Sequence, residues 1–264
     1  MRRVITAAVF LMMAPAAVAG ELTETIDRTF DVKPGARVQL TNVNGRVSVS
    51  SWDQPKVRVV AIKKIEADAE NLKAAMKELR VDIQPRDGGL VITTKQPKDA
   101  DGWNALFAWL AGDHVEAQVK YDITVPRTMN LDFENTNGAI QAKGVNGKLE
   151  LETTNGKIEV VACAGTVDAS TTNGGIRAEL VRVAKGQPLH FETTNGGIHV
   201  ILPSNLAVDV DADTTNGSIR SDLPIATTRT DRNSLRGSIN GGGTPLRLRT
   251  TNGGISINSG KPAA

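Results

Sequence analysis

An all-β fold of the β-solenoid kind, a β-helix-like stack of two-strand rungs with one short capping helix, is predicted by three observations. The stretch TTNGGI stands at residues 171–176, 193–198 and 250–255, with close relatives at 153–158 and 214–219. On both sides of each Asn-Gly, apolar residues alternate with polar ones, the period of a strand that buries one face. Successive corners at Asn155, Asn173, Asn195 and Asn216 lie 18, 22 and 21 residues apart, about one two-strand rung each. Asn-Gly also fits a two-residue hairpin turn, so a stacked-hairpin β-sandwich is the alternative fold. The solenoid has the advantage of explaining why one corner is invariant and the other loose. Identical corners stack, so Asn can ladder on Asn and Thr on Thr.

Taken in order, the chain opens MRRVITAAVFLMMAPAAVAG. Arg2 and Arg3, an apolar run over residues 4–14 and the small-residue site Ala17-Val18-Ala19 have the grammar of a secretory signal peptide, residues 1–19. The expected product is exported, periplasmic or extracellular, and its residues 20–264 form one elongated β-repeat domain. No later segment has the roughly 20 apolar residues of a spanning helix, so no transmembrane segment is expected.

Within that domain, residues 20–62 read as N-terminal strands, 63–120 as a helix-containing insertion and 121–264 as the regular repeat. Val38, Leu40, Asn42, Asn44, Val47 and Val49 supply the first copy of the pattern, and KVRVVAI at 56–62 alternates as another strand. Leu72, Ala75, Met76 and Leu79 within 67–80 have helical spacing. That helix is expected to cover one end or flank of the sheet, and at an end it would close strand edges that otherwise lie open. VDIQ and LVITTK follow as strands. DGWNALFAWLAGD then gathers Trp103, Leu106, Phe107, Trp109 and Leu110 in a chain with only three Trp and five Phe. Large rings usually bury, which makes this segment a cap folded onto the core. The functional reading is a partner-contact patch for a protein or lipid surface. From KYDITVP onward the repeat is regular, with corners at Asn137, Asn155, Asn173, Asn195, Asn216 and Asn252 following the one at Asn44.

Charge and chemistry narrow the function. The 31 Lys and Arg, less Arg2 and Arg3, balance 29 Asp and Glu, so the exported chain is formally neutral and nucleic acid is not an expected partner. Cys163 is the only cysteine; it can form no intramolecular disulfide and reads as a small structural residue. His114, His190 and His199 lack metal-ligand spacing, and neither a nucleophile elbow nor a phosphate loop is present. No cofactor is expected. The outward positions before each corner read Asp132 and Glu134, Glu150 and Glu152, Asp168 and Ser170, His190 and Glu192, Asp211 and Asp213. Stacked rungs would align them into an acidic stripe. Glu159, Arg177, His199 and Arg220, four residues after a corner, would form a mostly basic one. Such a face is most simply a solvated surface. Its carboxylates could also collect Ca²⁺ or serve as acid and base on a polysaccharide.

The segments VQLTNVNGRVSVSSWDQPKVRVVA, YDITVP, GVNGKLELETTNGKIEV and TTNGSIRSDLPI resemble the bacterial putative-adhesin family of exported repeat proteins, over nearly the whole of residues 20–264. The resemblance implies a repetitive β fold and a non-enzymatic binding or scaffolding role in the cell envelope. The partner would be an envelope component or another protein. It carries over no catalytic motif. The alternative function is a polysaccharide-active β-helix enzyme using Asp211 and Asp213.

Overall fold

The computed structural model describes residues 20–67, 72–96, 116–183 and 186–262. The signal peptide expected at residues 1–19 and the aromatic segment with Trp103, Leu106, Phe107, Trp109 and Leu110 lie outside the described residues. The chain begins β1 (Glu21–Asp31), β2 (Arg37–Asn44), β3 (Val47–Trp52), β4 (Lys56–Glu66), α1 (Leu72–Glu78), β5 (Arg80–Arg86) and β6 (Gly89–Lys95). It continues β7 (Glu116–Pro126), β8 (Asn130–Asn137), β9 (Ile140–Lys143), β10 (Asn146–Asn155), β11 (Ile158–Asn173), β12 (Ile176–Arg182) and β13 (Leu189–Asn195). It ends β14 (Ile198–Pro203), β15 (Val208–Asn216), β16 (Ile219–Ser221), β17 (Ala226–Thr230), β18 (Ser234–Ile239), β19 (Thr244–Asn252) and β20 (Ile255–Gly260).

Strands that precede an Asn-Gly corner stack into one limb, and strands that follow it stack into the other. The first limb runs β5-β6-β2-β8-β10-β11-β13-β19-β15-β18-β17. The second runs β1-β4-β7-β3-β9-β11-β12-β14-β20-β16. Pairing is parallel through the repeat and antiparallel only toward the ends, in β1–β4–β7, β5–β6, β15–β18 and β17–β18. This is a β-solenoid, because each corner lies in register over the next rather than closing a hairpin. The long β11 serves both limbs: its first half pairs with β9 and β12, its second with β10 and β13. Ala162 and Gly165, at φ 51° and 108°, bend it between them.

Between the limbs lies the core. The alternating apolar residues face inward: Leu189, Phe191, Ile198 and Val200 of one rung are at most 1% exposed, as are Leu246 and Leu248 of the next. Tyr121 is fully buried with its hydroxyl 2.6 Å from Thr94 Oγ1, and burial pushes the phenol up to about 12. The helix ends at Glu78, and Leu79 buries just beyond its end. It packs on β4 and β1, where Lys63 Nζ donates to the carbonyl of Met76 at 3.2 Å and to Glu24 Oε2 at 2.7 Å.

The spatial order of the rungs departs from the sequence order. The rung of Asn252, made by β19 and β20, sits between those of Asn195 and Asn216. The connection between β16 and β19 holds the antiparallel β17–β18 pair, and β18 covers the outer edge of β15. That detour leaves a vacant edge on β13 and β14 for the later rung to fill.

Candidate functional site

The seven corners form a single column. Asn137 Nδ2 donates to Asn44 Oδ1 at 2.7 Å, Asn155 to Asn137 at 2.7 Å, and Asn173 to Asn155 and Asn195 to Asn173 at 2.8 Å. Asn252 donates to Asn195 and Asn216 to Asn252, both at 2.8 Å. From Asn137 onward each side-chain amide donates to the rung on its Asn44 side, and the backbone donors run the opposite way: Gly156, Gly174, Gly196 and Gly253 donate N–H to the carbonyls of Asn173, Asn195, Asn252 and Asn216. Thr does not ladder on Thr, as the sequence pattern suggested. The buried hydroxyls of Thr153, Thr171, Thr193, Thr250 and Thr214 instead donate to the carbonyls of Gly138, Gly156, Gly174, Gly196 and Gly253, at 2.8–3.1 Å. These bonds satisfy carbonyls at the turn, where the strand ladder cannot.

On the outer face of the first limb the polar side chains stand in two rows. One row reads Gln39, Asp132, Glu150, Asp168, His190, Arg247, Asp211 and the other Thr41, Glu134, Glu152, Ser170, Glu192, Arg249, Asp213. The acidic stripe read from the sequence is therefore interrupted. The intercalated rung sets Arg247 and Arg249 between Glu192 and Asp213, a position that their distance along the chain conceals.

The two ends of the stripe differ chemically. Arg249 Nη2 donates to Asp211 Oδ2 at 2.6 Å, its Nη1 bonds Asp213, and Arg236 Nε donates to Asp211 Oδ1 at 3.0 Å. Desolvation alone would raise the Asp211 carboxyl, but the bonds from Arg249 and Arg236 outweigh it and hold the pKa below the usual range. Asp211 is thereby held as an ion-paired acceptor, a state opposite to that of a general acid. At the other end, Arg37 lies 3.6 Å from Asp132 and 3.9 Å from Glu150, and Lys148 2.5 Å from Glu150. Glu134, Glu152 and Asp168 have no cationic partner among the described residues. A groove of about 580 Å³ opens where the halves meet, lined by His190, Glu192, Asp213, Arg247 and Arg249.

The second limb carries the mixed row Gln141, Glu159, Arg177, His199, Ser256 and Arg220. His199 Nδ1 lies 2.5 Å from Ser256 Oγ, and desolvation, then the charge of Arg177, lowers its pKa. Cys163 is fully buried, and burial pushes its thiol up, away from the thiolate a nucleophile requires. Among the described residues no three His, Cys, Asp or Glu side chains converge as a metal-binding group, and no helix is long and apolar enough to cross a membrane.

A family model described as Toastrack DUF4097 matches residues 36–258. The crystal structure of a putative cell adhesion protein from Clostridium sporogenes ATCC 15579 is similar at 12% identity and a TM-score of 0.48, covering 90% of this chain and 100% of that one. A putative adhesin from Bacteroides fragilis NCTC 9343 is similar at 12% identity and a TM-score of 0.41, covering 89% and 97%. A putative lipid binding protein from Parabacteroides distasonis ATCC 8503 follows at 11% identity and a TM-score of 0.28, covering 90% and 97%. No curated protein matches the chain.

Proposed function

The chain belongs to the Toastrack DUF4097 family, and from that premise we propose that it is an exported, non-enzymatic binding module of the cell envelope. Its contact surface is the outer face of the first limb. The observation that carries this reading is the set of carboxylates without cationic partners: Glu134 and Glu152, in register on consecutive rungs of one row, and Asp168, one rung further on in the other row. An array of like charge at strand spacing, about 4.8 Å, complements an extended partner that carries positive charge along its length. It attracts that partner without a deep pocket. Export rests on the signal-peptide grammar of residues 1–19, and residues 20–264 act as one domain.

The test is co-sedimentation of the purified protein with fractionated envelope material at low and high salt. The comparison set is wild type, Glu134→Gln/Glu152→Gln, and a Trp103, Phe107 and Trp109 triple Ala variant confirmed as folded. Salt-sensitive binding that drops several-fold in the Gln variant is expected. Binding lost only in the aromatic variant would move the contact to residues 103–110, and equal binding by all three would overturn the proposal.

A further inference from the structure

We propose that the protein forms a two-fold dimer by pairing β1 with β1 of a second copy, so that the second limb runs on as one continuous sheet. Among the described residues β1 pairs with β4 alone, along its whole length. The other ends are less open. β5 carries Pro85, β16 is three residues long and β17 five. The sequence of β1, ELTETIDRTFD, has neither Pro nor Gly to spoil an edge.

The hydrogen-bonding side can be assigned. Ala67 N–H donates to Gly20 O, and Val32 N–H donates to Pro55 O. In an antiparallel ladder alternate residues bond the same neighbour. Even-numbered residues of β1 therefore bond β4, and the N–H and C=O groups of Thr23, Thr25, Asp27 and Thr29 point to the open side.

A second β1 meets these groups best when Ile26 lies on the two-fold axis. Thr25 then pairs with Asp27, and Thr23 with Thr29. On the core side Leu22 faces Phe30, Glu24 faces Arg28 and Ile26 faces Ile26. Each neighbouring register that keeps the core faces aligned is worse. Centring on Thr25 sets Leu22 against Arg28 and Glu24 against Ile26, and centring on Asp27 opposes two aspartates. Centring on Glu24 or Arg28 opposes two like charges. In the Ile26 register the remaining like pair, Glu21 with Asp31, falls at the strand ends. There Lys64 lies 3.2 Å from Glu21 and Lys56 3.7 Å from Asp31.

Two further observations point to this occupant. Leu22, Ile26 and Phe30 are only partly buried, whereas Val57, Val59, Ala61 and Ile65 beside them on β4 are fully buried. Leu22 and Ile26 line an open cleft of about 610 Å³ together with Met76 and Leu79 of the helix region. The second copy covers these apolar residues and sets its Glu24 opposite Arg28, an isologous contact in which each strand gives what it receives.

Sedimentation velocity of the purified protein reads the mass, which is expected to be twice that of one chain. Thr25→Pro removes an outward N–H that no described strand of the same chain uses, and should give monomers with an unchanged far-UV spectrum. Register is read by cysteine pairing. Ile26→Cys should form an intermolecular disulfide on mild oxidation, because residues on the axis of a non-hydrogen-bonded pair lie about 4.5 Å apart. Phe30→Cys alone should not, whereas Phe30→Cys mixed with Leu22→Cys should. A monomeric wild type, a Thr25→Pro variant that remains dimeric, or Phe30→Cys pairing as readily as Ile26→Cys would each overturn the proposal.

Discussion

At Gly174 a β-carbon would stand 2.1 Å from the carbonyl oxygen of Gly156, and the same contact recurs at Gly156 against Gly138 and at Gly196 against Gly174. None of these three glycines occupies the left-handed region. The usual reason for Asn-Gly, a backbone at positive φ, therefore does not apply there. What demands glycine is the stacking of one backbone directly on another. Gly174→Ala should cost about 1–3 kcal/mol, the range for overpacking a well-filled site. Gly175→Ala, whose β-carbon would lie 3.3 Å from Gly197 O, should cost a small fraction of that. Denaturant midpoints of the two variants, compared with wild type, test the difference. The sequence shows that each copy of the motif fills the same slot; it does not show that clearance rather than dihedral angle fixes the residue, because both demands select the same amino acid.

The element scale is where charges become legible only through pairing. Alternation places Asp211 and Asp213 on the outside, but Arg249 reaches them across the β19–β15 pair, a neighbour 38 residues away. No local pattern announces such a contact. His199 on β14 shows the same dependence. Its pKa is lowered from 6.5 by desolvation and by Arg177 on the adjoining strand. A histidine that is harder to protonate when folded gives the unfolded chain the extra proton as pH falls. Stability is thus unaffected above the unfolded value and declines as pH drops through 6.5 toward the folded one. His199→Gln should flatten this part of the melting-temperature profile. It should leave untouched the steeper loss at lower pH, where Asp27, bonded by Arg58, and Asp211 surrender contributions present above 3.8. An unchanged slope near pH 6 in the variant would refute the assignment.

On the scale of the whole molecule, the two-limbed solenoid, its corner column and its N-terminal helix were readable from periodicity, because each rung repeats the same burial problem. The order of the rungs was not. Spacing along the chain suggested that Asn216 follows Asn195, and the structure places Asn252 between them. A repeat pattern says that a segment is a rung and leaves open which edge it joins, since every inner edge presents equivalent groups. The consequence for stability is specific. Removing residues 244–264 deletes the parallel neighbour of β15 and of β16, so β15, β16, β17 and β18 should lose amide-exchange protection along with the missing rung. Protection over β8 to β12 should persist. Uniform loss across the chain, or retained protection in β15, would contradict this arrangement.

The intercalated rung also sets a timetable for biosynthesis. A polypeptide emerges N-terminus first, and the rungs from β8–β9 to β13–β14 can add to the growing stack in the order in which they are made. The next segment to appear, β15–β16, has no seat on that stack, because its place lies one rung further out. It must wait, held only by its own antiparallel partners, until residues 244–260 arrive and slip beneath it. The keystone of the stack is therefore made after the rung it supports, and a chain stalled before that point would display the unpaired edges of β13 and β14 to chaperones and to other nascent chains.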